Sequence, residues 1–313
     1  MAMNKVITLT LNPALDRTMY FDSFHAGELN RSSRSVMAPG GKGINVSRVL
    51  KTCGRDTVAY SFRGGMCGEV FARMLAAEDL PCELIETRAE TRINIKLMHE
   101  NGSFTEANEA GGPVLPEEME KMTHLLTKST DSPQVFVLAG SIPQPVEKSV
   151  YKSLASSLRQ AGHTVVMDCD GEALEKGVLG LPHLIKPNTS ELSKFVKKPL
   201  STLDEIASAA AGVFVENKIE VLCTMGGDGA LFAGREGIYT VDTPQVKAAG
   251  FAGAGDTFLG AFLHIRLDGG DIPQALRFAS SAAAAKIELP GTAVPSFTEM
   301  SRFAGGLSVR KLG

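Results

Sequence analysis

The sequence predicts an α/β protein with a small second sheet standing outside its core. Three observations predict this. Short apolar runs rich in β-branched residues, at 6–11, 134–139 and 164–168, have the length and content of buried strands. From residue 113 onward such runs take turns with stretches of helical periodicity. Between Thr91 and His99 the pattern changes to strict alternation, Ile93, Ile95 and Leu97 against Arg92, Asn94 and Lys96. A strand inside a parallel sheet is apolar on both faces, so this one belongs to a half-exposed sheet elsewhere.

The chain has 313 residues, 43% hydrophobic and 21% charged, ordinary values for a globular protein with a large core. A net charge of −3 supplies no field for nucleic acid or anionic membrane. Five cysteines at 53, 67, 82, 169 and 223 show no Cys-x-x-Cys spacing, which argues against a zinc site and for a reducing compartment. No apolar run reaches membrane-spanning length, and the start lacks a basic-then-apolar leader. The expectation is a cytoplasmic protein acting on a small molecule, with no nucleic-acid or membrane partner.

In chain order, the strand at 6–11 stops at Asn12-Pro13, and Asp16 follows its end. Ligands of open α/β sheets collect there, although a turn-forming Asp explains the residue equally well. Residues 18–37 read as a peripheral hairpin carrying Arg31 and Arg34. Gly40-Gly41-Lys42-Gly43 is a loop opening a helix that begins at Ile44 and ends at Gly54. It lacks the Walker spacing. Gly41 and Gly43 allow close approach, Lys42 offers a point charge and Asn45 can bond hydroxyls, so the stretch is a candidate anion or polyol site.

A strand at 57–62 and a helix at 68–78 come next, and Asn101-Gly102 supplies a tight turn after the alternating strand. Together with 18–37 that strand makes a candidate lid, and Arg92 on its polar face can reach an anion. Pro116 opens a helix. Ser141 sits at the carboxyl end of the strand 134–139. A helix is expected over 146–161, a short strand at 183–186, and then Pro187-Asn188, with Glu191 at the start of the following helix. A Glu there is a cap or a support for a hydrated magnesium ion. After a helix at 203–217 and a strand at 219–224, Gly226, Gly227 and Gly229 form a turn suited to a nucleotide or to a hairpin.

The chemistry concentrates at Gly253-Ala254-Gly255-Asp256, ahead of an apolar helix at 258–267; a last helix is expected over 272–289. Small residues let backbone N–H groups approach an anion, and the helix dipole favours one. Asp256 is then a carboxylate where an anion should bind. It is either an N-cap or a general base that takes a proton from an attacking hydroxyl.

Taken together, Asn12-Pro13 with Asp16, Gly40-Gly-Lys-Gly-Ile-Asn45, Thr91-Arg92, Gly140-Ser141, Lys186-Pro-Asn188 with Glu191, Gly226-Gly-Asp-Gly229 and Gly253-Ala-Gly-Asp256 resemble the motifs of PfkB, or ribokinase-like, carbohydrate kinases. The resemblance runs from residue 6 to about 295 and is nearest to bacterial 1-phosphofructokinases and tagatose-6-phosphate kinases. It implies one ribokinase-like domain over 1–313: a three-layer α/β/α core on a mainly parallel sheet, with a β-lid from about 15–38 and 90–110 that forms a homodimer contact. It implies ATP and Mg2+. Asp256 would be the base, and Gly253, Ala254 and Gly255 the anion hole. Asp16, Gly40, Gly41, Asn45 and Ser141 would hold the sugar, and Lys42, Arg92 and Arg31 its phosphate. Lys186, Asn188, Glu191, Thr224, Gly226, Gly227 and Gly229 would face nucleotide and metal, Glu191 through water. The implied reaction is phosphorylation of fructose 1-phosphate at the C6 hydroxyl. Tagatose 6-phosphate and fructose 6-phosphate are alternatives, and a catalytically weak sugar-phosphate sensor is the alternative of another class. One departure stands out: the family's usual Thr-Val or Ser-Val before the loop is replaced by Gly250-Phe251-Ala252.

Overall fold

The computed structural model describes residues 5–99, 104–128 and 132–312. The turn expected at Asn101-Gly102 lies outside them. In chain order the elements are β1 (Val6–Thr10), β2 (Ala14–Tyr20), β3 (Arg34–Gly40), α1 (Lys42–Thr52), β4 (Thr57–Arg63), α2 (Gly65–Ala77), β5 (Cys82–Glu86), β6 (Arg92–Met98), β7 (Phe104–Asn108) and α3 (Pro116–Thr127). Then come β8 (Val135–Ala139), α4 (Val150–Gln160), β9 (Thr164–Asp168), α5 (Gly171–Gly177), β10 (Leu184–Ile185), α6 (Thr189–Val196), α7 (Leu203–Asn217) and β11 (Glu220–Thr224). The chain closes with β12 (Ala230–Gly234), β13 (Gly237–Val241), α8 (Ala254–Leu267), α9 (Ile272–Ile287), α10 (Phe297–Ser301) and β14 (Val309–Lys311).

Ten strands form one sheet in the order β14-β13-β12-β11-β10-β9-β8-β1-β4-β5. Every pairing from β11 through β5 is parallel, while β12, β13 and β14 extend one edge in antiparallel fashion. Successive strand residues face opposite sides, so each central strand serves two helical layers. Ile7, Leu9, Phe136 and Leu138 pack with α3 to α7. Val6, Val135 and Val137 pack with α1, α8, α9 and α10. Burying one such side chain contributes about 1.5–3 kcal/mol, and the runs are apolar on both faces because both are covered.

The second sheet has the order β3-β2-β6-β7. Its register puts Asp16 opposite Asn94 and Thr18 opposite Lys96 on one face. Arg17 with Ile95, and Met19 with Leu97, lie on the other. The predicted lid is therefore a distinct sheet, and its polar face lines a cavity together with Ala252, Gly291 and Thr292.

Several boundaries differ from expectation. Helix α1 begins at Lys42 rather than Ile44, α2 at Gly65 rather than Gly68, and α8 at Ala254 rather than Phe258. The first turns of α1 and α8 are built of small or polar residues, and that of α2 carries a lone exposed Met66 among small residues, so none gives an apolar period to read. Helix α4 begins at Val150, four residues later than expected, because 146–149 form turns, and α9 ends at Ile287. Strands β5, β13 and β14 and helix α10 carry weak patterns and were not anticipated; β5, for example, is a half-exposed edge.

Candidate active site

Helices α1 and α8 lie side by side with their N-termini converging. Gly260 makes this possible: a Cβ there would meet the Val49 side chain at 2.9 Å and the Val46 carbonyl at 3.2 Å. Two helix dipoles thus point at one spot. Gly253 is the N-cap of α8 with φ of 78°, a left-handed conformation that a side chain would strain. Among the described residues, no protein acceptor meets the backbone N–H of Gly255 or Asp256. Those two donors are what an incoming anion would find.

Asp256 is buried at 7% exposure on the first turn of α8. Asn45, on the first turn of α1, donates from Nδ2 to its Oδ2 at 2.7 Å. Burial, reinforced by the nearby Asp168 carboxylate, pushes the Asp256 carboxyl up to about 6, against the pull of Lys42, the Asn45 bond and Lys186. A carboxylate with that affinity can accept a proton near neutral pH and release it again.

Next to it sits a charge cluster that the sequence reading did not assemble. Asp168, at the carboxyl end of β9, is fully buried. Lys42 reaches its Oδ1 at 2.9 Å, and Lys186 its Oδ2 at 3.2 Å. Despite complete burial, the two ammonium groups hold the Asp168 carboxyl below the usual range. Lys42 in turn is pushed above its ordinary value by Asp168, Asp256 and Glu191, which outweigh its own desolvation. A Cβ on Gly255 would lie 3.3 Å from Lys186 Nζ, so Lys186 stands beside the amides of α8.

On one side of this centre a cleft of about 460 Å³ runs over the loop after β11. Thr224, Gly226, Gly227, Gly229 and Asn188 line it, with Val246, Phe258 and Ile287 as an apolar wall. Side chains at Gly226 or Gly227 would meet nothing within 4 Å, so this floor is open. The glycine turn also joins β11 to β12 as a hairpin, the second of the two sequence readings. Asn188 and Glu191 form a reciprocal cap on α6: Asn188 N–H donates to Glu191 Oε2 at 2.8 Å, and Glu191 N–H to Asn188 Oδ1 at 2.9 Å. Among the described residues no three carboxylate, His or Cys side chains gather as a metal cage.

On the other side a cavity of about 170 Å³ opens under the lid, lined by Asp16, Thr18, Asn94, Lys96, Gly291 and Thr292 among others. Asn94 donates to Asp16 Oδ1 at 2.9 Å. Burial raises the Asp16 carboxyl, opposed by Asn94, Arg92 and Lys96. A side chain on Gly40 would run into the Asp16 carboxylate. Arg92 donates to the Asn12 and Glu109 carbonyls at 3.0 and 2.9 Å, while its Nε is buried without a partner. Asn12 donates to the Ser141 hydroxyl at 3.1 Å.

The profile of the family described as "pfkB family carbohydrate kinase" matches residues 9–299. The chain belongs to this family. It is 36% identical over 258 residues to a 1-phosphofructokinase of Bacillus subtilis, covering 82% of this chain and 84% of that one. It is 30% identical to a tagatose-6-phosphate kinase of Staphylococcus epidermidis, covering 80% and 82%. A crystal structure of phosphofructokinase-2 from Escherichia coli in complex with potassium superposes with a TM-score of 0.91 at 28% identity, covering 97% and 99%. The three-layer core with its appended small sheet is thus the ribokinase-like fold, and this PfkB kinase is a phosphotransferase with an alcohol acceptor.

Within the PfkB kinase, the structure brings Asp256, Asn45, Lys42, Lys186 and the Gly253–Gly255 amides to one point. Asp16, Gly40 and Arg92 gather around the lid sheet. Arg31 stands apart: it is exposed between β2 and β3 and makes no hydrogen bond or ion pair among the described residues. Gly43 serves packing, since a Cβ there would meet Leu9 O at 2.8 Å and Thr10 Oγ1 at 2.6 Å. One residue of this centre went unread, Asp168, as did a buried lysine behind the Gly253 loop, Lys286. Asp168 could have been found by the strand-end rule that found Asp16 and Ser141. Lys286 lies in an alanine-rich helix with no local signal.

Proposed function

We propose that this PfkB kinase transfers the γ-phosphoryl group of ATP to the C6 hydroxyl of fructose 1-phosphate, giving fructose 1,6-bisphosphate and ADP. The observation that carries the reading is the Asp256 carboxylate, held by Asn45 at the open N-terminus of α8 beside Lys42 and Lys186. The hydroxyl oxygen forms its bond to the γ-phosphorus while the bond to the β–γ bridging oxygen breaks. The hydroxyl proton passes to Asp256, and the leaving charge rests on ADP. The amides of Gly255 and Asp256 and the Lys186 ammonium stabilise charge on the phosphoryl oxygens in transit.

The cleft of Thr224, Gly226, Gly227, Gly229 and Asn188 suits a nucleotide: open backbone for its phosphates, an apolar wall for its base. Without a three-ligand cage, a magnesium ion suits this site only as a hydrated ion on the phosphates, with Glu191 supporting its water. When bound, that ion offsets phosphate charge. Asp16, Gly40, Gly41, Asn45 and Ser141 orient the sugar. Lys42 and Arg92, with Arg31 in reserve, take its phosphate. We further infer a homodimer through the outer lid face, where Met19, Met37, Ile95 and Leu97 are left partly exposed; light scattering that returns a monomer would refute it.

The test is ADP release with ATP and magnesium, run on fructose 1-phosphate, tagatose 6-phosphate, fructose 6-phosphate and fructose. The highest kcat/KM is expected with fructose 1-phosphate. Preference for tagatose 6-phosphate keeps the base and changes the acceptor. Preference for free fructose removes the phosphate clamp. Tight sugar-phosphate binding without turnover identifies a sensor.

A further inference from the structure

Two lysines are buried among the described residues, Lys186 at 5% exposure and Lys286 at 2%. Lys186 has Asp168 as its counterion. Lys286 has none within ion-pair distance among the described residues. Its Nζ instead donates to the Gly291 carbonyl at 2.7 Å and lies 3.5 Å from the Leu289 carbonyl. A Cβ on Gly253 would sit 3.6 Å from Lys286 Cε, so the side chain runs directly behind the loop that caps α8.

Three backbone segments cross at this ammonium: the end of α9, the 289–291 turn, and the 249–253 loop. They are laced together around it. The N–H groups of Ala249 and Gly250 both bond the Ile287 carbonyl, at 2.8 and 3.1 Å. Arg48 bonds the Thr292 carbonyl at 2.7 Å. The same 291–292 residues line the lid cavity beside Asp16. An ordinary lysine at a helix C-terminus keeps its ammonium in water and interacts weakly with the last carbonyls. This one has given up water, and the groups that replace water are neutral carbonyl oxygens. A small cation in a carbonyl-lined, dry site is held the same way whether or not it is attached to the chain.

We propose that Lys286 is a tethered monovalent cation: its ammonium fills a carbonyl site behind Gly253 and fixes the anion loop of α8, so that phosphoryl transfer needs no free monovalent ion. Lys286 is thus a positioning residue, acting through the loop. The charged groups facing it are Arg48 from α1, Lys96 from β6 and Asp256 from α8. Burial first, then Arg48 and Lys96, bring Lys286 down to about 8, with Asp256 opposing, which leaves it cationic at neutral pH. The catalytic half of the proposal rests on the phosphoryl-transfer reading above; the cation half does not.

The experiment compares the wild type with Lys286→Ala in sodium, potassium and ammonium chloride at one ionic strength. Thermal unfolding is read first, because it is independent of any reaction. The variant's midpoint should be higher in ammonium or potassium than in sodium, as a free ion enters the vacated carbonyl site, while the wild type's should be the same in all three. Turnover is read second. In sodium the variant's kcat should fall by about 10²-fold, the scale of a lost electrostatic contact at an anion hole, with KM little changed and saturable recovery by ammonium. Equal variant midpoints in the three salts overturn the proposal. So does a wild type that potassium activates several-fold, or a variant with wild-type kcat in sodium. Should Lys286→Ala fail to fold in sodium, folding in ammonium supports the proposal and failure in all three salts overturns it. If no acceptor yields ADP with the wild type, the kinase reading fails and the midpoints still decide whether the site holds a cation.

Discussion

The first turns of α1 and α8 are written in almost the same alphabet, Gly-Gly-Lys-Gly and Gly-Ala-Gly-Asp, yet their glycines answer to different constraints. In α1 the constraint is internal. Gly43 is pressed against Leu9 and Thr10 of β1, and Thr10 Oγ1 accepts the Ile44 N–H at 3.2 Å. That N-terminus is partly spent on the protein itself. In α8 the constraint is external. Gly253 turns the chain, a Cβ on Gly255 would meet only the Lys186 ammonium, at 3.3 Å, and the amides behind it have no protein acceptor. A glycine-rich helix start is therefore not one signal. Where backbone presses on it, it reports packing, and where only cationic or polar side-chain ends face it, beside unpaired amides, it reports a place kept for a ligand.

The strongest way to break this contrast is Asp256→Asn. Loss of the base should lower kcat by about 10²–10⁴-fold, and turnover near wild type would remove α8 as the reacting end. The same substitution should raise stability at neutral pH. The folded carboxyl is raised to about 6 from 3.8, so the fold favours its protonated form. That contribution is complete below the unfolded value and is lost as pH rises through about 6. Asparagine resembles the protonated form, so its unfolding midpoint at pH 7 should exceed wild type by about 2–5 °C. By the same proton, wild-type kcat should fall as pH drops through about 6.

Paired alanine substitutions sharpen the contrast. Gly43→Ala should cost about 1–3 kcal/mol in urea unfolding, because a backbone oxygen and a side chain occupy its Cβ position. Gly255→Ala should stay within about 1 kcal/mol of wild type, since alanine suits a helix better than glycine while its Cβ, 3.3 Å from Lys186 Nζ, pushes only on the end of a side chain. Its penalty should fall instead on kcat/KM, by about 10–100-fold, as Lys186 and the phosphoryl group are displaced. If both variants lose stability alike, the two loops are the same after all. The smallest effect belongs to Phe251→Ala. Phe251 is 55% exposed and meets Phe104 of β7 at a centroid distance of 6.4 Å. Its loss should change stability by no more than about 0.5 kcal/mol, leaving α8 indifferent to the bulky residue ahead of it.

Much of the fold could be read because central strands are covered on both sides and so declare themselves as unbroken apolar runs. The lid could be read because Arg92 to Met98 alternates. What escaped was whatever depended on distant partners. Asp168 looks like a strand end until Lys42 and Lys186, 126 residues and 18 residues away, close on it. Lys286 looks like a surface charge on an alanine helix until the 289–291 turn folds back over it. The start of α8 escaped for a local reason: Ala254, Gly255 and Asp256 have no hydrophobic period, and only the positive φ of Gly253 marks the boundary. The motif as a whole was legible, but the division of labour among its glycines was not.

The position of β1 in the sheet has a consequence for how the chain is made. One edge of β1 pairs with residues 57–61, which follow soon after it. The other edge pairs with residues 135–139. On the ribosome, a buried strand destined for the middle of the sheet must wait with one row of backbone groups unpaired while the entire lid and helices α1, α2 and α3 are synthesised. Over that interval the nascent chain presents a template for pairing with another chain. The slow step of folding, and the moment at which a chaperone has most to protect, is therefore set by the arrival of β8.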